Sequence, residues 1–138
     1  MINNNKNLGS LAKQILDFYF AIYKTKFKEE PTIVYKRDME RLKQDLLTYN
    51  NFSLDLIRAC LLIYLDMNDD DWLDTNGYPL YIFPRNFHKC RNELKYKKKF
   101  YKGTEEEFYK KYVEDTINKW GTKNVGQNGG NQPENTES

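Results

Sequence analysis

The chain has 138 residues and sets 22 Lys and Arg against 20 Asp and Glu, for a net charge of +2. That length suits one domain, and so small a charge excludes whole-molecule attraction as the basis of nucleic-acid or membrane binding; such a partner must meet a local patch. Two cysteines, Cys60 and Cys90, are too few for a disulfide framework, and the longest apolar run, Ala59 to Leu65, is far too short to cross a bilayer.

Met1 to Gly9 is Asn-rich and reads as a flexible start. No signal-peptide pattern is present there, so a cytoplasmic protein is expected. Ser10 is a candidate N-cap, and Leu11, Ile15, Phe18 and Ile22 follow at helical spacing. This first helix should end near Lys26 to Glu29, because Pro31 holds the residue before it out of the helical region. A second helix is expected from Tyr35, with Met39, Leu42, Leu46 and Leu47 inward and charges of alternating sign outward. After the turn Tyr49-Asn50-Asn51-Phe52, Ser53 is placed to cap a third helix. Leu54, Ile57, Cys60, Leu61, Tyr64 and Leu65 recur there at three-and-four spacing, and Ala59, Leu62 and Ile63 make the helix apolar nearly all round. Such a helix belongs at the centre of a fold.

Asp66 to Gly77 reads as an acidic loop, and Gly77-Tyr78-Pro79 as a turn. A fourth helix should follow, with Pro84 tolerated in its first turn and Phe83, Phe87, Cys90 and Leu94 inward. Gly103 interrupts the chain, and Thr104 with Glu107 forms a capping box for a fifth helix. Phe108, Tyr112 or Val113, Thr116, Ile117 and Trp120 should face its core side, with Gly121 as the stop. Thr122 to Ser138 has no apolar periodicity and is expected to be disordered. The expected fold is all-α, a compact bundle of about five helices round the third, with residues 10–121 as one domain.

Catalytic patterns are missing. There is no phosphate-cradling glycine loop. His88 with Cys90 gives two ligands where a zinc site needs four. Fitting the acidic stretch to a calcium loop with Gly77 at the sixth position puts Trp72 at the first and Phe83 at the twelfth, where acids are needed. No metal, cofactor or enzymatic activity is expected.

The basic stretch carries the strongest functional signal. From Arg85 to Lys102 the chain places Arg85, Lys89, Arg91, Lys95, Lys97, Lys98, Lys99 and Lys102 against Glu93 alone, a local charge of +7. Tyr96, Phe100 and Tyr101 are interleaved. Lysines neutralise phosphates, and exposed aromatic faces stack unpaired bases. The opposing reading is a solvated linker whose rings pack inward. Lys lacks the planar fork that reads base edges, so salt-sensitive and weakly sequence-selective DNA binding is expected. The third helix exposes little beyond Asp55 and Arg58 and cannot serve as a recognition helix; Arg85, Asn86, Lys89 and Arg91 leave the fourth a smaller claim. The acidic stretch, with Asp69, Asp70, Asp71, Trp72 and Asp74, is the candidate surface for a protein partner.

Asp38 to Leu47, Phe52 to Tyr64 and Gly77 to Phe87 resemble small helical domains of phage and plasmid replication proteins. The chain's end resembles the signature of the DnaD-type primosomal domain: a tyrosine, aliphatics four and five places on, and a tryptophan eight places on. Tyr112, Thr116, Ile117 and Trp120 stand at those positions, with Thr116 replacing an aliphatic. The family often continues in a basic tail, whereas the tail here is Gly- and Asn-rich, which moves the candidate DNA surface to Lys95–Lys102. The resemblance implies a non-enzymatic, replisome-associated accessory protein of phage or mobile-element origin, acting in a bacterial cytoplasm and aiding helicase loading. Two other classes stay open: a modulator that inhibits a host enzyme or immunity complex through the acidic Trp72 stretch, and an assembly adaptor.

Overall fold

A computed structural model describes residues 7–48 and 50–126, with the backbone alone for 122–126. Among these, all regular structure is helical, and the bundle has six helices. The all-α expectation holds, with one helix more than the periodicity indicated.

Helix α1 spans Leu8–Phe27. Its N-cap is Asn7, whose side chain accepts the Ser10 N–H at 2.9 Å, so the helix starts two residues before Ser10 and takes that residue into its first turn. Lys28 closes it in the left-handed region and returns its N–H to the Lys24 carbonyl. Helix α2 spans Tyr35–Leu42 and continues into one π-helical turn, Lys43–Leu47. The wider turn faces both Leu46 and Leu47 into the core. Val34 caps α2 without a side-chain acceptor. Asp38 does that work instead: one carboxylate oxygen accepts the Val34 N–H at 3.0 Å and the other takes Arg37 Nε at 3.3 Å. Asp38 is fully buried, and these partners offset the cost of burying its charge.

Helix α3, Leu54–Leu65, is capped by Ser53, whose hydroxyl accepts the Leu56 N–H at 3.1 Å. Cys60, Leu61, Leu62 and Tyr64 have no exposed surface, and α1, α5 and α6 all pack on this helix. Each large apolar side chain buried here contributes roughly 1.5–3 kcal/mol.

The acidic stretch is not a loop throughout. Asp71–Asn76 forms a short helix, α4, with Asp70 as its cap (Leu73 N–H to Asp70 carboxylate, 3.0 Å), Leu73 buried beneath it and left-handed Gly77 ending it. Three tyrosines then pin the turn. Tyr19 donates to the Tyr78 carbonyl at 2.8 Å, Tyr64 to the Pro79 carbonyl at 2.7 Å, and Tyr78 itself to the Met67 carbonyl. Leu80–Ile82 makes one tight turn into α5, Phe83–Lys98. Phe83, Phe87, Cys90 and Leu94 form its buried stripe, as the spacing predicts.

Helix α6 runs Glu105–Gly126. The Thr104–Glu107 capping box is reciprocal, at 2.9 and 3.1 Å. Gly121 does not stop the helix: nothing crowds it, and a glycine inside a helix costs only about 1 kcal/mol. Residues 122–126, expected to be disordered, are therefore helical, while 1–6, Tyr49 and 127–138 lie outside the described residues. Lys26 ties three elements together, with Nζ 2.8 Å from Asp66 at the end of α3 and 4.5 Å from the Trp120 ring of α6. Among the described residues no helix is long and apolar enough to cross a membrane.

Candidate nucleic-acid interface

Because α5 buries one stripe, its remaining side chains project outward, and the basic residues are sorted by where they fall round it. On the flank toward the connection between α3 and α4, Lys89 Nζ lies 3.1 Å from Asp69, and Lys97 pairs with Glu93 one turn back at 3.6 Å. The hydrogen bond from Lys89, and then its charge, hold the Asp69 carboxyl below its ordinary pKa. This contact joins the basic and acidic stretches, which the sequence presents as separate features. A groove of about 240 Å³ opens beside it, lined by Asp66, Asp69, Lys89, Glu93, Lys97 and Tyr112 among others. Arg91 lies over the Phe52 ring at 5.0 Å. Among the described residues, Arg85, Lys95, Lys98, Lys99 and Lys102 form no ion pair. Arg85 stands at the far end of α5, about 20 Å from Lys98 at the rise of a helix. The group that gathers without acidic partners is Lys95, Lys98, Lys99 and Lys102. The acids that flank it in sequence are engaged or turned away: Glu93 pairs with Lys97, Glu107 accepts the Thr104 N–H, and Glu105 and Glu106 face solvent in the first turn of α6, where they suit the positive helix end.

The aromatics divide as sharply. Tyr101 turns inward, half-buried, with its ring 5.4 Å from Phe108. Gly103 makes that possible: a Cβ there would lie 2.7 Å from the Tyr101 ring, and its φ of 141° also favours glycine. Tyr101 therefore drops out of the set of rings open to a base. Tyr96 and Phe100 stay outside, 58% and 76% exposed, with centroids 5.6 Å apart and planes at 74°. Lys99 Nζ sits 5.5 Å from the Tyr96 centroid. Phe100, one of the interleaved aromatics, is the most exposed ring of the patch and stands one helical turn after Tyr96. The lysines of the last turn also suit the negative end of α5. That accounts for cations at a helix terminus but not for bare rings among them.

The acidic candidates split between structure and surface. Asp70 is spent on capping α4 and Asp69 on Lys89. Asp71 and Asp74 face solvent on either side of Trp72, which is 50% exposed. As for recognition by α5, Asn86 reaches back to the Ile82 carbonyl at 3.4 Å. With Lys89 and Arg91 also engaged, Arg85 alone of that set is unpartnered.

His88 is exposed and Cys90 fully buried, so the two do not meet as ligands, and among the described residues no group of three or more His, Cys, Asp or Glu could hold a metal ion. Burial pushes the Cys90 thiol up to about 12 and the Cys60 thiol higher still, leaving both as neutral core groups. Of the signature positions, Trp120 is buried and Tyr112, Thr116 and Ile117 are half-buried, all on the core side of α6. Comparison with protein-family models, with curated proteins and with solved structures finds no match to this chain.

Proposed function

We propose that this chain is a non-enzymatic nucleic-acid-binding accessory module, and that it holds phosphates on the C-terminal end of α5. One observation carries the reading: Lys95, Lys98, Lys99 and Lys102 form no ion pair, and Lys99 lies against one of two bare rings, in a molecule whose other basic residues on α5 are mostly paired or stacked. The lysines supply electrostatic affinity with little base discrimination. The replication context, including a helicase-loading role and a phage or mobile-element source, rests on the family resemblance of the Tyr112–Trp120 segment. The test is a titration of labelled DNA. Micromolar binding is expected at about 50 mM salt, weakening roughly 50-fold by about 200 mM if four phosphates of a single strand are neutralised. The variant Lys98→Glu/Lys99→Glu/Lys102→Glu should abolish it. Absence of binding at the lower salt ends the reading.

A second reading has its own observation. Trp72 stands half-exposed between Asp71 and Asp74 on a helix held rigid by the tyrosine-pinned turn. A fixed tryptophan is a suitable anchor for a protein interface. It supports an inhibitory modulator or an assembly adaptor, whose partner would be captured with no DNA present and lost with Trp72→Ala.

A further inference from the structure

We infer that the ligand of this patch is a single-stranded polynucleotide, gripped by stacking successive unpaired bases on Tyr96 and Phe100. The inference rests on the nucleic-acid reading above and sharpens it to a substrate class. Three features carry it. The first is exposure: both rings face solvent, which is unfavourable for an isolated Tyr–Phe pair and is relieved when a base covers them. The second is geometry. The ring centroids are 5.6 Å apart and the planes are steeply tilted to each other, so bases stacked on the two rings cannot lie parallel as neighbours in a duplex strand do. Adjacent bases can reach both rings only when the strand is unstacked, and a duplex hides its base faces except at its ends. The planes meet at 74°, so the rings cannot clamp one base between them. Each offers a face to a separate base, Phe100 directly and Tyr96 on displacing Lys99.

The third feature is the position of the cations. Lys95 and Lys98 follow one another at three-residue spacing along α5, on the flank away from Glu93, and Lys102 continues past the helix end. They set a line for the phosphates along that flank, and Lys99 joins it to the rings. Lys99 has its ammonium 5.5 Å from the Tyr96 centroid. It covers that ring in the free protein and moves to a phosphate when a base takes its place. Nothing in this arrangement reads a base edge or a ribose hydroxyl. Single-stranded DNA and RNA share the chemistry that binds here, and affinity should be tolerant of sequence.

The test uses the full chain with three labelled probes of equal length: oligo(dT), oligo(U) and a DNA duplex, each at several salt concentrations. Oligo(dT) should bind at least 10-fold more tightly than the duplex, with a log–log salt slope of about −3 for four phosphates. Tyr96→Ala/Phe100→Ala should weaken oligo(dT) binding roughly 30-fold or more and leave the salt slope unchanged. Lys98→Glu/Lys99→Glu should flatten the slope. Tyr96, Phe100 and Lys99 are exposed and Lys98 is half-buried, and an unchanged thermal melt confirms that each variant is folded. Oligo(U) binding as tightly as oligo(dT) supports the shared chemistry; rejection of oligo(U) would overturn the part that includes RNA. Duplex binding equal to oligo(dT), unaffected by loss of the rings, would overturn the stacking inference and leave phosphate binding standing. No binding of any probe would end both.

Discussion

At the turn after α4, the hydroxyls of Tyr19, Tyr64 and Tyr78 each donate to a backbone carbonyl of another segment; at the end of α5, the rings of Tyr96 and Phe100 touch each other and Lys99 but cover no core. The two regions are built from the same kinds of residue. In the first, the hydrogen bonds hold Tyr78 in the left-handed region, at φ 51°, a conformation that a bulky side chain keeps only when its surroundings over-determine it. In the second, the inward ring of Tyr101 fixes the turn and leaves its neighbours outside. The contrast separates aromatics that build the bundle from aromatics that are left for something else to cover. Composition alone does not make that separation.

Alkali offers the widest break of this comparison. Burial raises the thiols of Cys60 and Cys90 and the hydroxyls of Tyr19 and Tyr64 above their ordinary values. The folded state keeps protons that the unfolded chain releases, so stability is whole below the unfolded thiol value near pH 9 and falls as pH rises beyond it. The urea midpoint should be flat from pH 7 to pH 9 and then drop steadily, with unfolding by about pH 12; a midpoint that stays level through pH 11 would contradict the buried assignments. Next in size, Phe87→Ala should cost about 3–5 kcal/mol, because α5 loses a core ring. Phe100→Ala, thirteen residues on, should change stability by less than about 0.5 kcal/mol. Chemical denaturation of both variants compares the two regions directly.

Tyr64→Phe keeps the ring and removes only the hydroxyl, stranding the Pro79 carbonyl. It should cost about 1–3 kcal/mol, whereas Tyr96→Phe should leave the denaturation midpoint where it is. Smallest is the cap: Thr104→Ala should cost about 1 kcal/mol, read from the same curves, by breaking one arm of the box with Glu107.

Much of this architecture is legible before any coordinates. Periodicity identifies the buried stripes of α3 and α5; on α1 it finds Ile15 and Ile22 but favours the half-buried Leu11 and Phe18 over the buried Ala12, Leu16 and Tyr23. Local chemistry places Ser53 and the Thr104–Glu107 box, because these signals act within a few residues. What escapes depends on contacts across the chain. Asp38 looks like one more charge on a solvated face, yet it is buried against the start of its own helix. The π-helical turn is masked because Leu46 and Leu47 also suit an ordinary helix. Asp70 with Leu73 three residues later and Gly77 closing was a readable helix, obscured by the density of acids around it. For the candidate site, the cluster of lysines is visible in sequence. Which of them are neutralised is not, since Asp69 reaches Lys89 from twenty residues away. Tyr101 and Phe100 are adjacent, and only the packing of Phe108 and the space at Gly103 decide which one faces out.

The most direct test of the account is a map of backbone amide shifts, made by nuclear magnetic resonance on the full chain titrated with oligo(dT). Residues Lys95 to Lys102 should move together and saturate with one affinity, while Asp69 to Asp74 shift little. Shifts centred on Asp71, Trp72 and Asp74, or none anywhere at low salt, would contradict the claim that the end of α5 is the working surface.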